Sequence, residues 1–89
     1  MAKTLACIVT DPVGLYATPA MDLIEVAKTF NSDYTLTYSA KTVNLKSMMG
    51  VLSLGIPTKA KIVITADGED EETGIEAVHE KMKELGIIG

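Results

Sequence analysis

Residues 11–20, Asp-Pro-Val-Gly-Leu-Tyr-Ala-Thr-Pro-Ala, hold the arrangement best suited to binding or transferring a charged group. They join a strand-like run to a helical one. Pro12 and Gly14 punctuate a turn, and Pro19 suits the first turn of a helix, where an N–H would be unpaired anyway. The N–H groups of Ala17 and Thr18 are then candidate free donors at a helix start. With the helix dipole behind them, such donors favour an anion. Tyr16 and Thr18 add hydroxyls, but a phenol with a pKa of about 10 is a poor nucleophile at pH 7 unless activated. An ordinary strand–turn–helix junction accounts for the same residues, and the two readings stand side by side.

Other reactive groups are sparse. The one histidine, His79, falls off the apolar stripe of the last helical run, among Glu76, Glu80 and Lys83, and reads as solvated helix face. One His and one Cys far apart give no zinc cluster, and no nucleophile–His–acid set can be assembled. The carboxylates of residues 69–72 sit in a cap region, as dipole complement and solubility. Ser47 is a natural N-cap for a short helix over residues 47–54. Met48, Met49, Val51, Leu52 and Leu54 give that helix more apolar surface than one stripe hides, so an exposed patch is expected.

The elements that must position these groups follow from periodicity. Residues 3–10 read as a strand with Leu5, Cys7 and Val9 on one face. Ala20, Leu23, Ile24 and Ala27 recur at i, i+3, i+4 and i+7, predicting a helix over residues 17–29, with Phe30 packing just past its end. Tyr34, Leu36 and Tyr38 alternate with Thr35 and Thr37, and Ser39-Ala40 is a tight connection into a short strand over residues 41–44. Residues 61–66 form the clearest strand. Asp67-Gly68 turns the chain, and Asp70 or Glu69 caps a last helix with a stripe of Ile75, Val78, Met82 and Leu85. Gly74 inside it costs on the order of 1 kcal/mol relative to Ala, and Gly86 suits the position after its end. The order is βαββαβα, which fits an α+β domain with an antiparallel or mixed sheet and helices on one face.

Composition narrows the classes. Eighty-nine residues make one small domain spanning 1–89, and a 47% hydrophobic content supports a core that must be aliphatic, with no Trp and one Phe. A net charge of −4 and a pI near 4.8 argue against non-specific nucleic-acid binding and against a basic membrane-surface patch. Cys7 has no internal partner and reads as a buried small hydrophobe. The apolar run at residues 5–9 is too short for a signal peptide, and no segment approaches the roughly 20 apolar residues of a membrane span, so a cytoplasmic location is expected. No cofactor is implied.

Gly14-Leu15-Tyr16-Ala17-Thr18-Pro19-Ala20 resembles the phosphohistidine motif of the HPr family, the phosphocarriers of the bacterial sugar phosphotransferase system, which reads Gly-[Ile/Leu]-His-Ala-Arg-Pro-Ala. Residues 43–55, Val-Asn-Leu-Lys-Ser-Met-Met-Gly-Val-Leu-Ser-Leu-Gly, resemble the family's second motif, which holds its regulatory serine. The resemblance implies an open-faced sandwich, a four-stranded antiparallel sheet with three helices on one face. It places Tyr16 where the family has its phosphorylated His and Thr18 where it has Arg, so phosphohistidine transfer is expected to be lost and no intact catalytic residue remains. It makes Ser47 the residue that a dedicated kinase/phosphorylase modifies, and Met21, Met48, Met49 and Leu52 the partner-binding surface. Lacking the His, the chain is similar to the family's Crh branch, phosphorylated only at the serine and acting with a catabolite-control transcription factor. The implied partners are enzyme I, IIA-type domains, the HPr kinase/phosphorylase and that transcription factor. Two other readings follow: an inactive or engineered variant that still docks phosphotransferase partners, and a redesigned scaffold with no phosphotransfer role.

Overall fold

The computed structural model describes residues 2–88. Seven elements run in the order β1 (Lys3–Ile8), α1 (Ala17–Lys28), β2 (Asp33–Tyr38), β3 (Lys41–Asn44), α2 (Met48–Ser53), β4 (Lys61–Asp67) and α3 (Glu71–Glu84). The strands form one sheet in the order β1-β4-β2-β3, every neighbouring pair antiparallel. This is the open α+β sheet with three helices that the sequence implied, and the option of a mixed sheet falls away.

The register sorts the side chains. Leu5 pairs with Ile64, Ile64 with Leu36 and Leu36 with Val43, giving one apolar row across all four strands. The next row, Thr4, Thr65, Thr35 and Asn44, projects to the other side, because a strand's side chains alternate. Ile62, Ile64, Ala66, Tyr34 and Leu36 are fully buried, whereas Thr4 and Asn44 are exposed. Against the apolar face lie Ala20, Leu23, Ile24 and Ala27 of α1 and Val78 and Met82 of α3, all buried. α1 thus buries the stripe that its 3.6-residue period marked, and α3 buries the middle of its own, with Ile75 and Leu85 only partly buried against the core.

Two details depart from the sequence reading, the end of β1 and the burial of Ile87 and Ile88, and a third agrees with it by an unexpected geometry. β1 ends at Ile8, and Val9 and Thr10 turn to other partners: Val9 N–H donates to Ala60 at 2.9 Å and Thr10 N–H to Ile87 at 2.8 Å. Ile87 and Ile88 fold back beneath that segment and are buried, Ile88 bridging Val9. Nothing in the local pattern of a chain end marks two residues as core. Ser39 and Ala40 do make the two-residue hairpin turn, with φ of 51° and 67°, so both occupy the left-handed region without being Gly or Asn.

Candidate functional site

The loop between β1 and α1 is built by Asp11. Its Oδ1 accepts from Val13 N–H at 2.9 Å and its carbonyl from Gly14 N–H at 3.0 Å. Gly14 has φ +87° and is packed so tightly that a Cβ there would overlap the Ile56 carbonyl and Pro57. Glycine is needed for both the conformation and the close approach. Leu15 N–H then donates to the Ile56 carbonyl at 3.0 Å, and the Leu15 side chain enters the core. The start of α1 is thereby fixed to the segment leaving α2.

Tyr16 is the N-cap residue of α1, extended at φ −111° and ψ −177°, and its side chain makes no capping bond. It is 42% exposed. Its carbonyl takes the Ala20 N–H at 3.0 Å, and Pro19 has no N–H, which leaves Ala17 and Thr18 with no acceptor among the described residues. The donors expected from the sequence are present, with the Tyr16 phenol and the exposed Thr18 beside them.

α2 is positioned by Asn44 and Lys46. Asn44 Oδ1 accepts from Lys46 N–H at 2.8 Å, and Ser47 N–H donates to the Asn44 carbonyl at 3.0 Å. Ser47 then caps α2, its Oγ accepting from Gly50 N–H at 3.2 Å. A Cβ on Gly50 would come within 3.3 Å of that oxygen, so the glycine keeps the hydroxyl clear. Lys46 does not reach toward Ser47: its Nζ donates to the Phe30 carbonyl at 2.9 Å and lies 5.7 Å from the centre of the Tyr34 ring.

Around these two points lies the expected apolar surface. Met21 is 54% exposed, Met49 84% and Leu52 40%, on two helices that pack together. Met48 departs from expectation, being half-buried and turned toward the core, because Val51 and Met48 share the face that α2 lays down. Val13, 68% exposed at the tip of the loop, adds to the surface and was missed. Its signal is an apolar residue between Pro12 and Gly14, where a turn cannot bury it. The open grooves of about 330 and 420 Å³ lie elsewhere, by Lys3 and Glu72 and along β2 and β3.

His79 is half-buried on α3 and joins neither loop, and no metal-binding cluster occurs among the described residues. Cys7 is half-buried on the helix-facing side of β1, where burial pushes its thiol pKa up. Asp70 corrects the sequence reading. It stands at the N-cap position of α3, yet its side chain makes no cap bond. Its carboxylate instead accepts from the Ser32 hydroxyl, from Asn31 N–H at 2.8 Å and from Ser32 N–H at 2.9 Å. The Ser32 hydroxyl and the Asn31 amide in particular hold its pKa below the usual carboxylate value. Glu71 reaches back to Gly68 N–H at 3.1 Å in its place.

A family model described as "PTS HPr component phosphorylation site" matches residues 4–84. The chain belongs to the HPr family. The histidine-containing phosphocarrier protein of Mycoplasma shares 38% identity with it over 97% of this chain and 98% of that one, at a TM-score of 0.95. HPr of Bacillus anthracis is 36% identical over 90% and 95% of the two chains, at 0.83. Crh of Bacillus subtilis is 37% identical over 85% and 87%, at 0.73. The family comprises phosphocarriers of the phosphotransferase system, which work with its enzymes and are not enzymes of turnover themselves. No helix among the described residues is long and apolar enough to cross a membrane.

Proposed function

We propose that this HPr-family protein carries no phosphohistidine and acts through Ser47 phosphorylation and partner binding in carbon catabolite regulation, in the cytoplasm. The observation that carries the reading is the side chain at the start of α1. An imidazole there would be largely unprotonated near neutral pH and able to attack a phosphoryl donor. Tyr16 offers a phenol instead, and Thr18 offers no cation to hold the phosphate. The backbone donors of Ala17 and Thr18 remain, enough to attract an anion but not to receive a phosphoryl group covalently.

Ser47 supports the other half of the reading. Its hydroxyl caps α2 beside Met49 and Leu52, and phosphorylation would add about −1.5 to −2 charge at a helix start, where it is tolerated. With Lys46 bound to Phe30, the charge is left for a partner to read. The HPr kinase/phosphorylase is the proposed writer and a catabolite-control transcription factor the proposed reader. Relatives named for catabolite repression share this fold. A second reading rests on the exposed Val13, Met21, Met49 and Leu52: the protein docks enzyme I and IIA-type domains without relaying phosphate, and competes for them.

Intact-protein mass after two incubations decides between them. One contains phosphoenolpyruvate and enzyme I, the other ATP and the HPr kinase. A phosphoryl group gained only with ATP, and located at Ser47, supports the regulatory reading. One gained with phosphoenolpyruvate at Tyr16 or His79 overturns the loss of carrier chemistry. No gain in either leaves the docking reading.

A further inference from the structure

The amide side chains of this protein are two, Asn31 and Asn44, and they stand in different surroundings. Asn31 is exposed in the loop between α1 and β2, and it is followed by Ser32, whose small side chain is no steric bar to ring closure but which is itself buried. Asn44 precedes the bulky Leu45, and its Oδ1 is already engaged by Lys46 N–H. Deamidation of an asparagine begins when the next residue's backbone nitrogen attacks the side-chain amide carbon. At Asn31 that nitrogen is Ser32 N, whose hydrogen is donated to Asp70 Oδ1 at 2.9 Å. The adjoining Asn31 N–H and the Ser32 hydroxyl are bound by the same carboxylate, from 38 or 39 residues along the chain.

We propose that Asn31 is a latent modification site, a deamidation switch that Asp70 keeps shut by sequestering the Ser32 nitrogen and fixing the loop. When the latch opens, Ser32 N forms a bond to the Asn31 side-chain carbonyl carbon and gives up its proton. The carbon–nitrogen bond to the side-chain amide breaks, and ammonia leaves with that proton. Water then adds across one carbonyl of the five-membered imide, giving aspartate or isoaspartate. No oxidant or reductant takes part. The product puts a new carboxylate on the residue whose own N–H Asp70 holds, and the isoaspartate form adds a methylene to the main chain. Either outcome weakens the latch, so conversion is self-locking. In mildly alkaline solution, where ring closure runs, Asp70 is ionised and the latch is at full strength. The rate is therefore set by local opening and not by the exposure of Asn31. The site lies past the C-terminal end of α1, the opposite end from Tyr16.

The full chain incubated warm at mildly alkaline pH, with peptide mapping for a gain of about 1 Da and for isoaspartate, tests this. Asp70→Ala is expected to deamidate at Asn31 about tenfold faster than the parent or more, since it frees an amide held by a charge-assisted bond. Ser32→Ala, which keeps the amide bond, is expected to lie between. Val78→Ala, which lowers stability from the core without touching the latch, is expected to stay close to the parent, and Asn44 to stay intact throughout. Equal rates in the parent and Asp70→Ala overturn the proposal, as does equal acceleration in Val78→Ala. Hydrogen exchange of the parent protein gives a check that needs no variant: the Ser32 amide must be strongly protected, and free exchange there would sink the idea.

Discussion

Gly74 of α3 lies directly against the phenol of Tyr34. A Cβ at position 74 would overlap Tyr34 Oη and come within 3.0 Å of its Cζ and 3.2 Å of Phe30 Cγ. The glycine inside the helix is thus a slot for a fully buried ring from β2. Gly74→Ala gains about 1 kcal/mol of helix propensity, but the ring has no room to retreat, and overpacking of this kind costs ~1–3 kcal/mol. The expected net result is a loss of up to about 2 kcal/mol in a urea melt. Tyr34 Oη has no hydrogen-bond partner among the described residues. Tyr34→Phe is therefore expected to raise stability by about 1 kcal/mol, because an orphaned buried hydroxyl is expensive. It should also rescue part of the Gly74→Ala loss. Additive effects in the double variant would show that the two residues do not share the slot.

The β2–β3 turn makes a second stability prediction. Ala40 sits at φ 67°, where an L side chain costs about 1–2 kcal/mol and glycine costs little. Ala40→Gly gives the unfolded chain more freedom, worth ~0.4–1 kcal/mol against it. The strain term is larger, so the variant is expected to be more stable by about 0.5–1 kcal/mol. Ser39→Asn should add to it, moving the turn toward the Asn-Gly pair that a type I′ geometry prefers. The midpoint of urea unfolding measures both.

Gly74 also marks where sequence reading stops. The α1 stripe, the alternation in β2 and β4 and the Ser47 cap are local patterns, and each was legible because one element's own period or first turn encodes it. Gly74 reads locally only as a penalty. Its cause is Tyr34, forty residues earlier in the chain and on another element. Asp70 reads as a cap because its place before α3 is right, but Asn31 and Ser32 present three donors that outbid the helix end. Ile87 and Ile88 carry no periodic signal of their own, because their partners, Thr10 and Val9, lie far earlier in the chain. At the candidate site, Tyr16 and Ser47 could be placed from motif and capping. The half-burial of Met48 could not, since a six-residue helix has too short a period to show which side faces inward.

The Asp70 latch makes stability depend on acid. Hydrogen bonds to the ionised form lower its folded pKa below the ordinary 3.8. A carboxylate with a depressed folded pKa contributes stability that is fully present above the unfolded value and is lost as pH falls through the folded one. The parent protein is expected to lose urea resistance on acidification below the ordinary carboxylate range. Asp70→Asn should be less stable at pH 7 and show a shallower acid loss over the same window. Parallel curves for parent and variant would mean that Asp70 contributes no linkage.

Ser47 gives the prediction that separates its structural role from a regulatory one. The bond from Gly50 N–H at 3.2 Å is a cap interaction, and removing such a cap costs about 1 kcal/mol, at the lower end where the bond is long. Ser47→Ala is expected to lose ~0.5–1 kcal/mol. Ser47→Asp keeps an acceptor at the same place and adds charge at the favourable end of the helix, so it is expected to match the parent within about 0.5 kcal/mol. Both variants remove the hydroxyl that the proposed kinase would modify. They differ in the helix cap and in charge beside Met49 and Leu52. If Ser47→Asp binds the proposed catabolite-control transcription factor more tightly than the parent while Ser47→Ala does not, the charge is what that partner reads. Should the two variants bind alike despite their unequal stability, Ser47 serves only as the cap of α2.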